Sequence, residues 1–195
     1  MAEVNGTIRI GTIISFGKYE WRVLEVQNSK ALIITDAIIN SYHYNIQRAS
    51  VTWELCTLRE YLNGEFLNNF IDEDKSRIDE TRIATNNNPW FDTKGGSDTY
   101  DRVFLLSIEE VVKYFGNSGQ LANSKSKKQF WIDDQFNNKR TALSIDDNKA
   151  WWWLRSPGSI SQTAACVNED GVISVRGSIV FSGSGGVRPA LWLHL

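Results

Sequence analysis

Three successive tryptophans, Trp151, Trp152 and Trp153, constrain the fold of this 195-residue chain more than any other feature. Leu154-Arg155-Ser156-Pro157-Gly158 follows them, so the segment has β character until it meets the proline. Side chains of a strand point alternately to the two faces of a sheet, so consecutive indoles project on both faces. At least one face of this strand must therefore bury a large aromatic area, and another indole can lie at the surface.

The same β character surrounds the tryptophans and opens the chain. At the C-terminal end, short apolar pieces separated by small-residue turns predict strands at 151–154, 164–167, 172–175, 179–181 and 187–193. At the N-terminal end, β-branched and aromatic runs predict a three-stranded meander over 7–16, 19–26 and 31–35. Gly17-Lys18 and Asn28-Ser29 provide the turns of that meander.

Between these β regions the apolar period changes to three or four residues. Thr57 and Glu60 have the spacing of a capping box and open an amphipathic helix, whose apolar positions are Leu58, Tyr61, Leu62, Phe66 and Phe70. Ser107 and Glu110 have the same spacing and open a second helix, with apolar positions Val111, Val112 and Phe115 and an end at Gly116. The polar stretches 86–100 and 117–128 are predicted to be long surface loops.

The order of these elements predicts an α+β fold in a single domain. Its parts are N-terminal strands at 1–50, a helical part at 55–116 and a C-terminal strand cluster at 150–195. An apolar content of 42%, including eight tryptophans, is ample for one large core.

Charge and hydropathy exclude several classes of partner. With 21 basic and 23 acidic residues the formal net charge is −2, so nucleic acid is not expected as a partner. A basic run at Lys125, Lys127 and Lys128 lies beside Phe130 and Trp131 and is interpreted as a solvated loop, with a stacking platform for a nucleic acid as the alternative. No apolar run approaches the roughly 18 residues of a membrane span, and the N-terminus does not resemble a signal peptide. A cytoplasmic or virion-associated location is expected.

The sequence offers few candidates for chemistry. His43, His194, Cys56 and Cys166 are too scattered for a zinc site, and neither histidine lies in a recognisable catalytic motif, so no catalytic residue, metal or cofactor is expected. The cysteines are interpreted as buried thiols, with one disulfide as the alternative. Calcium held by Asp92, Asp98, Asp101 and the asparagines at 86–88 is a second open alternative.

Two arginines next to prolines are expected to be framework residues, with contact to a ligand as the alternative. Arg155 precedes Ser156-Pro157, and Arg188 precedes Pro189, both in apolar surroundings. Arginines in such places usually donate to backbone carbonyls or to a buried carboxylate.

The segment from Trp152 to Gly158 and the ending from Gly186 to Leu193, which reads GVRPALWL, resemble a bacterial and phage domain family of unassigned function. Three further segments resemble that family's pattern in the same order: 17–24, 53–63 and 101–110. The resemblance therefore covers nearly the whole chain.

The C-terminal half is similar to the C-type-lectin-like fold of the formylglycine-generating-enzyme type, which also occurs in variable proteins of diversity-generating retroelements. That resemblance implies a scaffold that displays variable side chains between the tryptophan strand and the closing arginine. The ligand-binding residues that it implies are Ser159, Ile160, Ser161, Gln162, Thr163, Asn168, Asp170, Ser174, Arg176, Ser178, Phe181, Ser182 and Ser184.

Neither activity associated with this fold is implied for the chain. Cys166 has no neighbouring cysteine with which to form the enzyme's paired-cysteine copper site, and the calcium signature of sugar-binding C-type lectins is absent. We therefore expect a non-catalytic recognition module for a protein or glycan, with or without retroelement diversification. One alternative is an assembly domain of a phage or cell-surface protein. The other is an enzyme related to formylglycine-generating enzyme, which would need a pocket that brings an Asp or Glu near His43 or His194.

Overall fold

The N-terminal meander lies in a four-stranded antiparallel sheet. The computed structural model describes residues 8–195, so the predicted start of the first strand at Thr7 lies outside the described residues. The three strands are β1 (Ile13–Phe16), β2 (Tyr19–Gln27) and β3 (Lys30–Thr35), which confirms the meander. The last strand of the chain, β14 (Ala190–His194), pairs with β3 and completes the order β1-β2-β3-β14. The end of the chain thus closes the sheet that its beginning starts.

The first predicted helix is present but begins differently. It consists of α1 (Thr57–Tyr61), which continues as one π-helical turn over Leu62–Phe66, and it buries Leu58, Leu62 and Phe66. The predicted Thr57–Glu60 capping box is wrong. Cys56 holds the N-cap position, and the Thr57 hydroxyl instead accepts the Ile46 N–H (3.0 Å). Ile46 lies 11 residues before Thr57, so the spacing of Thr57 and Glu60 could not reveal this hydrogen bond.

The second predicted helix is confirmed as α3 (Ile108–Phe115), after the short α2 (Asp72–Arg77). Ser107 is its N-cap and both hydrogen bonds of the capping box with Glu110 are formed. The helix ends at Gly116, whose φ of 132° and closeness to the Phe136 ring exclude a side chain there. The predicted loop 117–128 contains a 3-10 helix, Gln120–Ser126, and a fourth helix, α4 (Asn137–Arg140), follows it.

The C-terminal strands form most of a six-stranded sheet. Its strands, in spatial order, are β4 (Asn40–Ser41), β13 (Gly186–Val187), β10 (Trp152–Pro157), β11 (Thr163–Val167), β12 (Ile173–Ile179) and β7 (Trp131–Ile132). Two small hairpins complete the described strands: β5 (Thr81–Ile83) with β6 (Thr99–Asp101), and β8 (Ala142–Leu143) with β9 (Lys149–Ala150). The domain is therefore α+β, with several sheets and few helices.

Two C-terminal strand predictions are wrong in detail. A separate strand at 179–181 does not exist, because Ile179 ends β12 and the Ser182 N–H donates to the Ile179 carbonyl in a turn (3.0 Å). The strand predicted at 187–193 is divided at Arg188-Pro189 into β13 and β14, which belong to different sheets. Proline has no N–H for a ladder, so the chain leaves one sheet there and enters the other.

The tryptophan triplet divides between the two faces of the six-stranded sheet, as its alternation predicts. Trp152 points to the core, where it lies near the ring of Phe115 (6.4 Å between centroids). Trp151 and Trp153 lie on the opposite face, in edge-to-face contact with each other at 4.7 Å. Trp153 is fully buried, whereas Trp151 remains partly exposed. One indole of the triplet therefore reaches the surface.

The two cysteines are buried and unbonded to each other, which confirms the interpretation as thiols. Within residues 8–195, no helix has both the length and the apolar character needed to cross a membrane.

Candidate functional site

A row of paired side chains crosses the outer face of the six-stranded sheet, on the side opposite Trp152. In the register of the sheet, Trp153 is paired with Cys166, Cys166 with Ser174, and Ser174 with Trp131. Directly paired residues share a face, so these four side chains form one line across four strands. Trp131 lies at the end of this line, on the edge strand β7, and is 50% exposed.

A recess of about 450 Å³ opens along this row. Its floor consists of small side chains from β11 and β12, and Trp151 forms one wall. Its lining residues are Trp151, Cys166, Asn168, Glu169, Asp170, Ser174, Gly177 and Ser178. Hydroxyl, amide and carboxylate groups thus surround an open cavity beside an indole.

The β11–β12 turn supplies the polar rim of this recess. The Gly171 N–H donates to the Asn168 carbonyl (2.9 Å), and the Asp170 carboxylate accepts the Val172 N–H (3.0 Å). Gly171 has a φ of 85°, and a Cβ at this position would lie 2.0 Å from the Asn137 carbonyl oxygen, so a side chain would not fit. These local bonds fix the rim, while the side chains of Asn168 and Glu169 form no hydrogen bond with any residue in 8–195.

The structure assembles only part of the predicted ligand-binding set at this recess. Asn168, Asp170, Ser174 and Ser178 line it. The other predicted ligand-binding residues are partly or fully exposed but do not line the recess. They are Ser159, Ile160, Ser161, Gln162, Thr163, Arg176, Phe181, Ser182 and Ser184.

The β10–β11 hairpin holds the first of these other groups, at the opposite end of the strands. The carbonyl of Ser161 accepts the Val51 N–H (3.0 Å), and the hydroxyls of Ser161 and Ser50 lie 2.8 Å apart. The Gln162 carbonyl accepts the Val180 N–H (3.0 Å). This end of the sheet is therefore joined to the segment that precedes α1.

Arg176 and Phe181 have different surroundings. The guanidinium of Arg176 lies over the Phe130 ring, 4.3 Å from its centroid. Phe181 is partly buried beneath Arg48 (5.6 Å), and its carbonyl accepts a hydrogen bond from Nδ1 of His43 (2.6 Å). Arg176 and Phe181 therefore contact different parts of the domain, although the resemblance places both in one ligand-binding set.

Sequence reasoning missed several residues that belong to the recess. Trp151, Cys166, Glu169 and Gly177 line it, and Trp131 lies at the end of its row. The strand alternation of the tryptophan triplet pointed to a surface indole, but no local pattern connects Trp131 with Ser174. Their pairing spans more than 40 residues of sequence and arises from the sheet.

The thiol in the floor of the recess is a poor nucleophile. Burial raises the pKa of Cys166 to about 12, against a smaller opposite effect of its hydrogen bond with Ser174. The thiolate is the reactive form of cysteine, so at neutral pH this group behaves as a small apolar surface.

A carboxylate does lie near one histidine, as the enzyme alternative requires. The Nε2 of His194 is 3.2 Å from Oδ1 of Asp79 on a partly exposed surface. Hydrogen bonding to Lys30 lowers the pKa of Asp79 against the effect of burial. The Thr81 hydroxyl donates to Asp79 and not to His194, so the contacts described do not place a base beside a nucleophile.

The carboxylates of the candidate calcium loop have separate protein partners. Asp92 accepts a hydrogen bond from Asn87, and Asp98 forms an ion pair with Arg82 at 2.7 Å. The buried Asp101 carboxylate accepts hydrogen bonds from the side chains of Trp53, Thr99 and Arg59. Across the described part of the chain, no three His, Cys, Asp or Glu side chains are grouped to hold a metal ion.

Arg155 occupies the framework position expected for it. It donates to the carbonyls of Leu105 and Ala84 and forms an ion pair with Glu110, the residue that also completes the cap of α3. Arg188 donates to the Thr35 carbonyl through both Nε (3.1 Å) and Nη2 (3.0 Å). These bonds tie the C-terminal strands to the rest of the domain.

A model of the domain family DUF6273, described as a domain of unknown function, matches residues 28–195. The chain belongs to the DUF6273 family. This agrees with the expected membership of a family of unassigned function. The match includes every residue of the recess, whereas β1 and β2 precede it in this DUF6273 domain. No curated protein matches the chain, and no solved structure matches it either.

Proposed function

We propose that this domain is a recognition module, built on a C-type-lectin-like scaffold, that binds a glycan in the recess beside Trp151. The observation that carries the proposal is the convergence of Asn168, Asp170, Ser174 and Ser178 on one cavity. All four belong to the ligand-binding set that the resemblance implies.

The chemistry of the recess favours a polyhydroxylated ligand. An indole offers an apolar face against which the C–H groups of a sugar ring can pack, while its surroundings remain wet. Serine hydroxyls both donate and accept, the Asn168 amide does the same, and the Glu169 carboxylate accepts from sugar hydroxyls. A small number of placed polar groups beside an aromatic wall is typical of a specific small-ligand site.

A protein ligand at the opposite end of the sheet is the second candidate. Large apolar side chains are exposed there, and hydrogen bonds connect their segments through Val51, Ser161 and Asn45. The exposed fractions are 57% for Ile46, 67% for Leu55, 56% for Ile160 and 46% for Ile179. Exposed apolar groups that lie close together mark protein contacts or assembly surfaces.

The test is a glycan-array screen of the labelled protein, followed by calorimetric titration of any hit. Ser174→Phe should fill the recess above Cys166 and abolish glycan binding, with circular dichroism confirming the fold because the variant also loses the hydrogen bond from the Gly177 N–H (3.2 Å). Ser161→Phe is the matched control at the hairpin and should bind as the native protein does. Binding that survives Ser174→Phe, or an absence of any glycan ligand, would overturn the glycan proposal. Loss of a protein partner in Ser161→Phe alone would support the second candidate.

Retroelement diversification is a separate part of the proposal, and sequencing tests it. Codons for residues 159–186 in a natural population should vary only at adenine-templated positions if the surface is diversified. Invariant codons for the recess residues would contradict diversification and leave a module of fixed specificity.

A further inference from the structure

Three arginines are buried among residues 8–195, and two of them have carboxylate partners. Arg140 is fully buried and forms an ion pair with Asp134 at 2.7 Å. Arg155 is paired with Glu110, and each of its three guanidinium nitrogens donates at least one hydrogen bond. A buried charge is costly unless it is paired, and Asp134 and Glu110 provide the negative charges that compensate these two arginines.

Arg188 is the exception among the buried arginines. It is 1% exposed, and it forms no ion pair with any residue in 8–195. Its guanidinium lies between the rings of Trp152 (4.8 Å) and Phe115 (5.8 Å). Nε and Nη2 donate to backbone carbonyls, but Nη1 is buried and has no hydrogen-bond acceptor.

The carboxylate of Asp36, whose field favours the charged form of Arg188, does not resolve this deficit. Asp36 lies near Arg188, but its Oδ1 is held by Nε (3.0 Å) and Nη2 (2.7 Å) of Arg22. Desolvation lowers the pKa of Arg188 to about 10, in spite of the favourable field of Asp36. The positive charge of the Arg188 guanidinium is therefore not balanced by a carboxylate of its own.

Arg188 also lines a second recess, which shares no lining residue with the glycan recess. It has a volume of about 560 Å³ and lies between the N-terminal sheet, the end of α3 and the segment that leads into β8. Its other charged residues are Arg22, Asp36 and Lys139, so the lining carries a net charge of +2. Apolar groups make up much of its remaining wall: Ile10, Val23, Leu24, Phe115, Ala142 and Leu143.

We infer that this second recess binds a small monocarboxylate with an apolar body. The carboxylate would accept hydrogen bonds from Arg188 and supply the missing charge, because planar carboxylates match the guanidinium fork. One carboxylate suffices, since Asp36 already compensates Arg22. The apolar wall would cover the organic part of the ligand, and the exposed Lys139 would attract the anion from solution.

The probes for the test are hexanoate and benzoate, with hexanol, benzyl alcohol and inorganic phosphate as comparisons. Titration of the whole protein by ¹H–¹⁵N NMR should give saturable shifts for the two carboxylates at Gly11, Ala37, Thr141 and Leu143. The alcohols should bind at least about tenfold more weakly, because they lack the charge that Arg188 needs. Equal affinity for alcohols and carboxylates, tighter binding of phosphate, or shifts elsewhere would overturn the inference.

A variant at the exposed rim of the second recess tests ligand binding without disturbing the fold. Arg188→Met should lose binding, but it also removes bonds to the Thr35 carbonyl and can unfold the domain. Leu143→Glu places a negative charge at an exposed rim position and should weaken hexanoate binding about tenfold with the fold intact. Ser174→Phe should leave hexanoate binding unchanged, since it alters only the glycan recess. Hexanoate binding that Leu143→Glu does not weaken would count against this site.

Discussion

At the scale of single residues, the rim of the glycan recess depends on Gly171. Its positive φ and its contact with the Asn137 carbonyl leave no space for a methyl group. Gly171→Ala should lower the free energy of unfolding by roughly 3 kcal/mol or more, because backbone strain and overlap add together. Gly119→Ala is the control, since Gly119 also has a positive φ but faces open space, and it should cost only about 1 kcal/mol. Urea denaturation measures both, and equal costs would contradict the role of close packing.

The ion pair of the buried Arg155 with the partly exposed Glu110 joins the tryptophan strand to α3. Arg155→Ala should lower the free energy of unfolding by about 3–5 kcal/mol, because Glu110 and two backbone carbonyls lose their partner. Arg82→Ala should cost less than about 1 kcal/mol, since the Arg82–Asp98 pair is largely exposed. Denaturant titration compares the two, and a small effect at Arg155 would contradict its framework role.

The two buried thiols should be nearly unreactive in the native state. Burial raises the pKa values of both Cys56 and Cys166 to about 12. At pH 8 only about one thiol in ten thousand is then the reactive thiolate, and each pH unit should raise the labelling rate about tenfold. Reaction with a chromogenic disulfide, compared between the native and urea-unfolded protein, measures this. Rapid native labelling of Cys166 would contradict the burial of its thiol in the floor of the recess.

At the scale of elements, α3 is the helix whose ends are set locally. Ser107→Ala removes the cap of its first turn and should lower the free energy of unfolding by about 1 kcal/mol. Ser126→Ala is the matched control on an exposed 3-10 helix and should change it by less than about 0.5 kcal/mol. Thermal denaturation can rank the two, and a neutral Ser107→Ala would show that packing alone holds the helix.

At the scale of the whole molecule, the folding unit extends beyond the family match. The match begins at residue 28, yet β2 contributes Trp21 and Val23 to the core and pairs along β3. A chain of residues 8–195 should unfold in one cooperative transition. A chain of residues 28–195 should lose that transition, because it leaves β3 paired only with β14 at the edge of the sheet and exposes the core beneath β2. Calorimetry of the two chains decides, and equal stability would place β1 and β2 outside the folding unit.

Much of the architecture could be predicted from residue patterns alone. Strand alternation, turn residues and the Ser107–Glu110 spacing depend on neighbours within a few positions, so the meander, α3 and the two-faced tryptophan strand agree with the structure. The expected burial of the thiols and the contacts of Arg155 likewise follow from side-chain chemistry. These features need no knowledge of what lies far away in sequence.

Long-range pairing decided the rest. The sheet register aligns Trp131 with Ser174, which is 43 residues away in sequence. The Thr57 hydroxyl accepts a hydrogen bond from Ile46, outside its own helix. Arg176 and Phe181 are separated because they contact different segments, at Phe130 and Arg48. The division of the last strand at Pro189 and the unpaired charge of Arg188 appear only when both sheets are assembled. Local sequence determines which segments form strands and helices, because those preferences act between near neighbours. Only the tertiary structure determines which side chains share a cavity, because that depends on register and on packing between elements.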